Sequence, residues 1–557
     1  MLSGGIGMST NRVRWGAWVL AIGLTWLVVY PMLIVGSESV TGPGGLTLEY
    51  LRRFAVEPRE WQALWGSIWT SVASVVLAAL IGIPLAFLFE RWDFPGRRLI
   101  GALVALPAVL PPLVGVIAFL FLYGESGFAA RLVQWVLQRD EPPWRLQGAW
   151  AILLVHAYSL YVYFYLLTRA ALARLDPAMV EAASSLGAGR WRTLRRVTLP
   201  LLGPALRGAA LLCFMTALAS FSAPYLFGGG FRVMTTQIVT TRLNGDYRMA
   251  MAETLVLSLV ALAGLGLVQG GGAAERGSGK GLAPAARPIS HPWTRRAVTA
   301  GAWVLGIVLL LPHATLLLLS FVPAGTWTVE PLPPAYSAIN YAALATEPER
   351  LRPLGNSLWM ATVATAAAIG IAITAGIYSG RGSGRLGRVI GGLLAVPWLV
   401  PGTVFAIALA TAFSVHQPWA GRMVLVGTIW ILPAAYLVRN LPIASRSVLA
   451  GFRSLDPSLG EAAASLGASR RWTLWRVTLP LLRPAIAAGA TLAFVTALGD
   501  FVTSIILYTY DTRPLSLEIL SSLRQGDIGV AAAYGVLLML LSALVFWLGS
   551  ERRVVAR

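Results

Sequence analysis

The stretch EAASSLGAGRWRTLRRVTLPLL (Glu181–Leu202) returns later in the chain as EAAASLGASRRWTLWRVTLPLL (Glu461–Leu482). Residues 175–205 and 455–485 align without a gap at an offset of 280 (455 minus 175), and 22 of those 31 pairs are identical by direct count. Elsewhere the match is weaker but keeps its order. GSIW from Gly66 pairs with NSLW from Asn356, and Pro107 and Pro111 pair with Pro397 and Pro401 at an offset of 290. FMTALASF (Phe214–Phe221) pairs with FVTALGDF (Phe494–Phe501), back at 280. The chain is two copies of one unit.

Of the 557 residues, 57% are hydrophobic and 12% charged, too apolar for a water-soluble globule. A membrane-crossing helix needs roughly 20 apolar residues, because lipid offers no partner to unpaired backbone groups. Nearly charge-free windows run Trp15–Ser37, Trp61–Phe89, Leu99–Gly124, Leu146–Thr168, Gly208–Phe231 and Thr254–Ala274. A second set runs Ala297–Val329, Pro353–Gly380, Val389–Gly421, Met423–Val438, Pro484–Tyr510 (interrupted by Asp500) and Ile528–Ser550. The expected fold is thus an all-α polytopic membrane protein of about 12 transmembrane helices in two parallel six-helix units. Six crossings are even, so both units run in the same sense. The first window follows Arg12 and Arg14 but is too long for a signal-peptide core, and it reads as a retained helix.

Net charge is +20, and every basic residue except Lys280 is arginine. The placement of those arginines excludes a nucleic-acid reading. Seven lie in Arg169–Arg207 and seven in Arg439–Arg483, each against two acids, whereas Glu38–Glu60, Glu330–Arg352 and Asp511–Asp527 are acid-balanced. The positive-inside rule puts both arginine-rich loops and both termini in the cytoplasm, as in a multi-pass bacterial or archaeal inner-membrane protein. Cys213 is the only cysteine and lies inside a window, so neither a disulfide framework nor a thiolate metal cluster is expected. The expected division is 1–269, a Gly/Ala/Pro cytoplasmic linker at 270–297, and 298–557. The linker fragment GSGK lacks the flanking glycine and the Ser/Thr of a phosphate loop, since Ala274 and Gly281 stand there.

In each repeated loop, Asp176 or Asp456 caps a helix and Pro177 or Pro457 occupies its first turn. The Ala-rich segment favours helix, and Gly187 or Gly467 suits a left-handed end. A second short segment is expected to stop at Pro200 or Pro480. Two short helices at an angle make a protruding knob. An interfacial hairpin, with arginines on lipid phosphates and Trp191 or Trp472 at the headgroups, fits the periodicity equally well. The letter-for-letter repetition favours docking on a common partner, because lipid contact requires composition alone.

These two stretches resemble the EAA loop of binding-protein-dependent ABC transporter permeases, and the resemblance extends over essentially the whole chain, one permease unit per half. Order and length are most similar to fused permeases of ferric-iron import, with thiamine and polyamine permeases close behind. The resemblance implies a small substrate delivered by an extracytoplasmic binding protein. It also implies two copies of a cytoplasmic ATPase that carry ATP and Mg and grip the two loops, and it leaves this chain without a cofactor, metal or catalytic site of its own. The implied docking residues are Glu181, Ala182, Ala183, Gly187 and Pro200 in the first loop, and Glu461, Ala462, Ala463, Gly467 and Pro480 in the second.

The translocation path is less legible. Asp500 falls inside a window, where a charge costs about 2.5–3.5 kcal/mol on insertion scales, so it should face a cavity or a bonded neighbour. Ser220 is its counterpart. Tyr158, Tyr161 and Tyr165 share a helix face, and packing is the commoner use of buried tyrosines. His156, His291, His313 and His416 are scattered, without metal-ligand spacing. Pro107 and Pro397, with Pro111 and Pro401, break the third helix of each half, either lining a cavity or shaping the bundle. An ion-coupled secondary transporter is the competing class, and it calls for more carboxylates in the spans than Asp500 alone.

Overall fold

The computed structural model describes residues 10–108, 110–269, 286–327, 330–379, 384–398, 400–415 and 418–554. Most of the expected linker, residues 270–285, lies outside them, as does His416. In the first half the spans are Trp15–Ser39, Pro58–Arg91, a broken third span (Arg97–Ala105, then Pro112–Tyr123), Gly148–Leu172, Arg190–Leu218 and Tyr247–Gln269. The second half repeats them as Pro292–Leu319, Pro348–Ser379, Arg385–Ala395 with Gly402–Ala412, Ile431–Ser454, Arg470–Leu498 and Ile528–Val554. Ten described helices are long and apolar enough to cross a membrane, and a bent pair brings the number to eleven. Ile431–Ser454, equivalent to Gly148–Leu172, completes twelve. The strands are two-residue pairs, Thr41–Gly42 against Gly45–Leu46 and Trp92–Asp93 beside Arg287–Pro288.

Three windows are corrected. Met423–Val438 is not the tenth span: the helix begins at Ile431 and continues through Arg439 and Arg446 to Ser454. Arg439 ended the charge-free window, yet both arginines are partnered, Arg439 by Asp500 and Arg446 by the Trp398 ring 4.0 Å away. Gly208–Phe231 and Pro484–Tyr510 each contain a chain reversal. Their helices stop at Leu218 and Leu498, and short helices Ser222–Phe227 and Val502–Leu507 follow. The change of offset from 290 to 280 has a structural source, since among the described residues of the second half no α-helix corresponds to Phe128–Leu137, only the short turn Pro418–Ala420.

Each half's first span packs on the other half. Trp26 donates from Nε1 to Trp419 O at 2.9 Å and meets the Phe413 ring edge-on, and Gly16 is small because the Tyr378 ring occupies the space of a Cβ. Reciprocally, Tyr158 donates to Leu309 O at 2.9 Å, and Gly96 leaves room for Trp303. The largest apolar core accordingly draws residues from both halves, from Ala17 and Leu113 to Phe501 and Tyr534. This exchange fixes the two units against each other.

Candidate functional site: the paired loops and the axis between the halves

In the loop helices Pro177–Ser185 and Pro457–Ser465, Asp176 Oδ1 accepts from Ala178 N at 3.0 Å and Asp456 Oδ1 from Ser458 N at 2.9 Å. Both end the same way. Ala188 N donates to Ala183 O and Gly187 N to Ser184 O, and Ala468 and Gly467 repeat the pattern with Ala463 and Ala464, all at 3.0 Å. This is the Schellman closure, which demands a left-handed residue, and Gly187 and Gly467 stand there at φ +76° and +77°. Beyond the turn, helix resumes at Arg190 or Arg470. It does not stop at Pro200 or Pro480, contrary to the sequence expectation. The widened turns Leu194–Thr198 and Leu474–Thr478 bond i to i+5, which removes the carbonyl clash a proline causes in an α-helix, and the helix runs on to Leu218 or Leu498.

The first loop helix buries none of its residues and the second only Ala463. Glu181, Ala182, Glu461 and Ala462 are exposed, and neither glutamate has an ion pair among the described residues. Leu186 and Leu466 stand at the tips, each 88% exposed. Sequence reading missed them, although their identical position before the glycine was the available signal. Each loop thus presents a capped helix with small residues, an acid unpaired among the described residues and an exposed leucine at its tip.

The second feature is the axis. Phe221 and Phe501 are equivalent residues, 280 apart, and their ring centroids lie 5.8 Å from each other. Only groups near a two-fold axis touch their own equivalents, so the pseudo-dyad passes between these rings. Both are buried (1% and 2% exposed). Tyr225 stacks on Phe221 at 5.1 Å and meets Phe501 edge-on at 6.2 Å, and its hydroxyl accepts from Arg524 Nη2 of the other half. A Cβ on Gly499 would lie 2.9 Å from Pro111, which brings the first half's helix break against the second half's reversal. None of Phe221, Phe501, Tyr225 or Arg524 was singled out in the sequence, although the pairing of FMTALASF with FVTALGDF contained the two phenylalanines.

Of the residues proposed from sequence for the path, Asp500 and Ser220 adjoin the axis phenylalanines, while Tyr161 and Tyr165 pack in a separate core; all four are in bonded positions. Asp500 Oδ2 accepts from Arg439 Nη1 at 2.6 Å and Oδ1 from Thr503 N at 2.8 Å, so the buried carboxylate caps the short helix and neutralises an arginine. Breaking such a buried pair costs about 3–5 kcal/mol. Ser220 Oγ lies 2.9 Å from His156 Nε2, whose Nδ1 is 2.8 Å from Ser74 Oγ. Tyr161 and Tyr165 donate to Val104 O (2.6 Å) and Gly101 O (3.1 Å). These two phenols hold the third span, which breaks at Pro107 as its equivalent breaks at Pro397, while Tyr158 bonds Leu309 O in the first span of the second half. No group of three or more His, Cys, Asp or Glu able to hold a metal ion exists among the described residues. The helices also extend past the charge-free windows, so two further carboxylates are buried. Glu60 accepts from Gln237 Nε2 at 2.9 Å and Glu253 from Thr241 Oγ1 at 2.7 Å.

A family model described as "Binding-protein-dependent transport system inner membrane component" matches residues 74–270 and again 372–550. The chain is 30% identical, over 99% of its length and 98% of the other's, to the probable ABC transporter permease protein y4fN of Sinorhizobium fredii. It is 28% identical to the ferric transport system permease protein FbpB of Actinobacillus pleuropneumoniae, covering 88% of this chain and 71% of that protein. To the thiamine transport system permease protein ThiP of Escherichia coli it is 27% identical, covering 87% and 88%.

Proposed function

The chain belongs to the binding-protein-dependent transport system inner membrane components, as a fused permease with two repeats, and on that premise we propose that it couples two cytoplasmic ATPase subunits to the movement of a small solute along the axis between its halves. One observation carries this reading: two capped, nearly unburied helices of matching sequence, each ending in a bare leucine before a left-handed glycine. Each loop enters a groove on one ATPase, with Glu181 or Glu461 meeting a basic residue. Ala182 and Ala183, or Ala462 and Ala463, allow close approach, Leu186 or Leu466 fills an apolar pocket, and Gly187 or Gly467 sets the angle. Pro200 and Pro480 lie where the loop passes into the fifth span. ATP closes the ATPase dimer and draws the loops together, the shared core transmits that movement, and the Phe221–Phe501 contact parts on the opposite side to admit solute from an extracytoplasmic binding protein. Hydrolysis on the partners restores the closed state, and this chain hydrolyses nothing. The permease units are residues 1–269 and 298–557, joined in the cytoplasm, where both termini also lie.

Ferric iron is the proposed solute, with thiamine next, as the substrates named for two of the relatives. The chemistry at the axis is undemanding: aromatic rings, a neutralised Asp500 and the Arg524–Tyr225 bond. Selectivity therefore resides in the binding protein. The test is reconstitution of the chain with its ATPase and binding protein in liposomes. ATP-dependent uptake of radioactive iron, unaffected by excess thiamine, is expected. Uptake driven by an ion gradient without ATP overturns the coupling, and thiamine uptake alone overturns the substrate.

A further inference from the structure

We propose that the face opposite the EAA loops holds one phospholipid headgroup of the phosphoethanolamine class, its phosphate between Arg242 and Arg248 and its ammonium toward Glu38. A cavity of about 320 Å³ opens there, lined by Glu38, Arg242, Tyr247, Arg248, Met251 and Thr411 among others. Four elements converge on it: the end of the first span, the short helix Met234–Leu243, the start of the sixth span, and the end of the second half's third span.

The charges in this cavity are unspent. Neither guanidinium has a hydrogen bond or an ion pair among the described residues, and Arg242 has only the Tyr247 ring, 5.8 Å from its guanidinium carbon. Burial lowers the pKa of Arg242, as expected of a cation short of counter-charge. Nearby Arg53 shows the contrast, bonded to both Glu57 and Asp246 at 2.6 Å. Glu38 borders the same cavity and forms no ion pair with either arginine. Two positive charges and one negative charge, all unpaired, match a ligand with an anionic centre and a nearby cation.

Guanidinium groups favour phosphate because their forked N–H donors fit its oxygens. The neighbouring aliphatic hydroxyls are already engaged, since Thr411 Oγ1 donates to Ile407 O at 2.9 Å and Ser414 Oγ to Thr411 O at 3.0 Å. The surroundings select a lipid over a dissolved ion. Met251 is buried beneath the site, while Leu243 (80% exposed), Tyr247 and Val415 leave large apolar surface around it, as at a boundary between hydrocarbon and water. The site is single: Gly245–Asp246 pairs with Gly526–Asp527 at a local offset of 281, which puts Leu523 and Gly529 at the arginine positions.

Native mass spectrometry of the delipidated full chain, titrated separately with phosphatidylethanolamine, phosphatidylglycerol and inorganic phosphate, tests the assignment. Wild type should retain one phosphatidylethanolamine in preference to phosphatidylglycerol. Arg242→Gln with Arg248→Gln should lower occupancy by both lipids at least ten-fold. Glu38→Gln, an isosteric change at a half-buried position without an ion pair among the described residues, should bring the two lipids to parity. Equal occupancy in wild type and variants overturns the site, and equal protection by inorganic phosphate alone overturns the lipid. Loss of affinity for the binding protein, with lipid occupancy unchanged in the arginine variant, also overturns it by reassigning the arginines to protein docking.

Discussion

With valine in place of both Gly187 and Gly467, the chain inserts and folds but no longer retains its ATPase. The expected loss of co-purified ATPase is at least ten-fold. Both glycines have φ near +76°, where an L-residue costs about 1–2 kcal/mol and a β-branched one more. No atom lies within 4 Å of a Cβ built at either position, so the cost comes from backbone conformation and not from a clash. Relief of that strain turns the capped helix away from the angle at which it docks. A tenfold change in association is about 1.4 kcal/mol, so strain at even one loop reaches the measurable range. The bundle is spared because the loop helices contribute almost nothing to its core. Pull-down in mild detergent, with thermal unfolding of the isolated chain as control, reads both halves of this expectation. Full ATPase recovery in the double variant would remove the glycines from the docking role.

Joining the halves at the axis should stop transport nearly completely. In a Cys213→Ala background, Phe221→Cys and Phe501→Cys place two thiols where ring centroids are 5.8 Å apart, close enough for a short bifunctional thiol reagent to bridge. The native thiol is buried and free, so its removal leaves an otherwise cysteine-less chain. The bridge should form readily without nucleotide, lower ATP-driven uptake at least ten-fold, and be reversed by cleaving the linker. Trapping the ATPases in the ATP-bound state should suppress bridging, because the halves then separate at this level. If bridged protein transports at the unbridged rate, the path does not pass between these residues.

The loops were the most legible part of the molecule, for a physical reason. Their structure is local: a side-chain cap at Asp176, a proline in the first turn and a glycine closing the helix are short-range devices, and each was present at the expected residue. The error at Pro200 and Pro480 was equally local, since a widened turn that admits a proline leaves no sign in composition. Span boundaries failed wherever a charge is bonded at a distance in sequence. Arg439 is tolerated because of Asp500, 61 residues away, and a window that counts charges has no access to that partner. The axis was the least legible part. The closeness of Phe221 to Phe501 follows from how two whole units pack, and neither phenylalanine stands out in an apolar segment.

The paired loops are expected to be gripped by protein and not to rest on lipid. A cryo-electron microscopy map of the chain with its ATPase in a lipid nanodisc tests this most directly. Two ATPase subunits per chain are expected, with Leu186 and Leu466 each enclosed in a groove of one subunit. A map in which both leucines and the tryptophans Trp191 and Trp472 lie among headgroups, with no polypeptide against them, contradicts it.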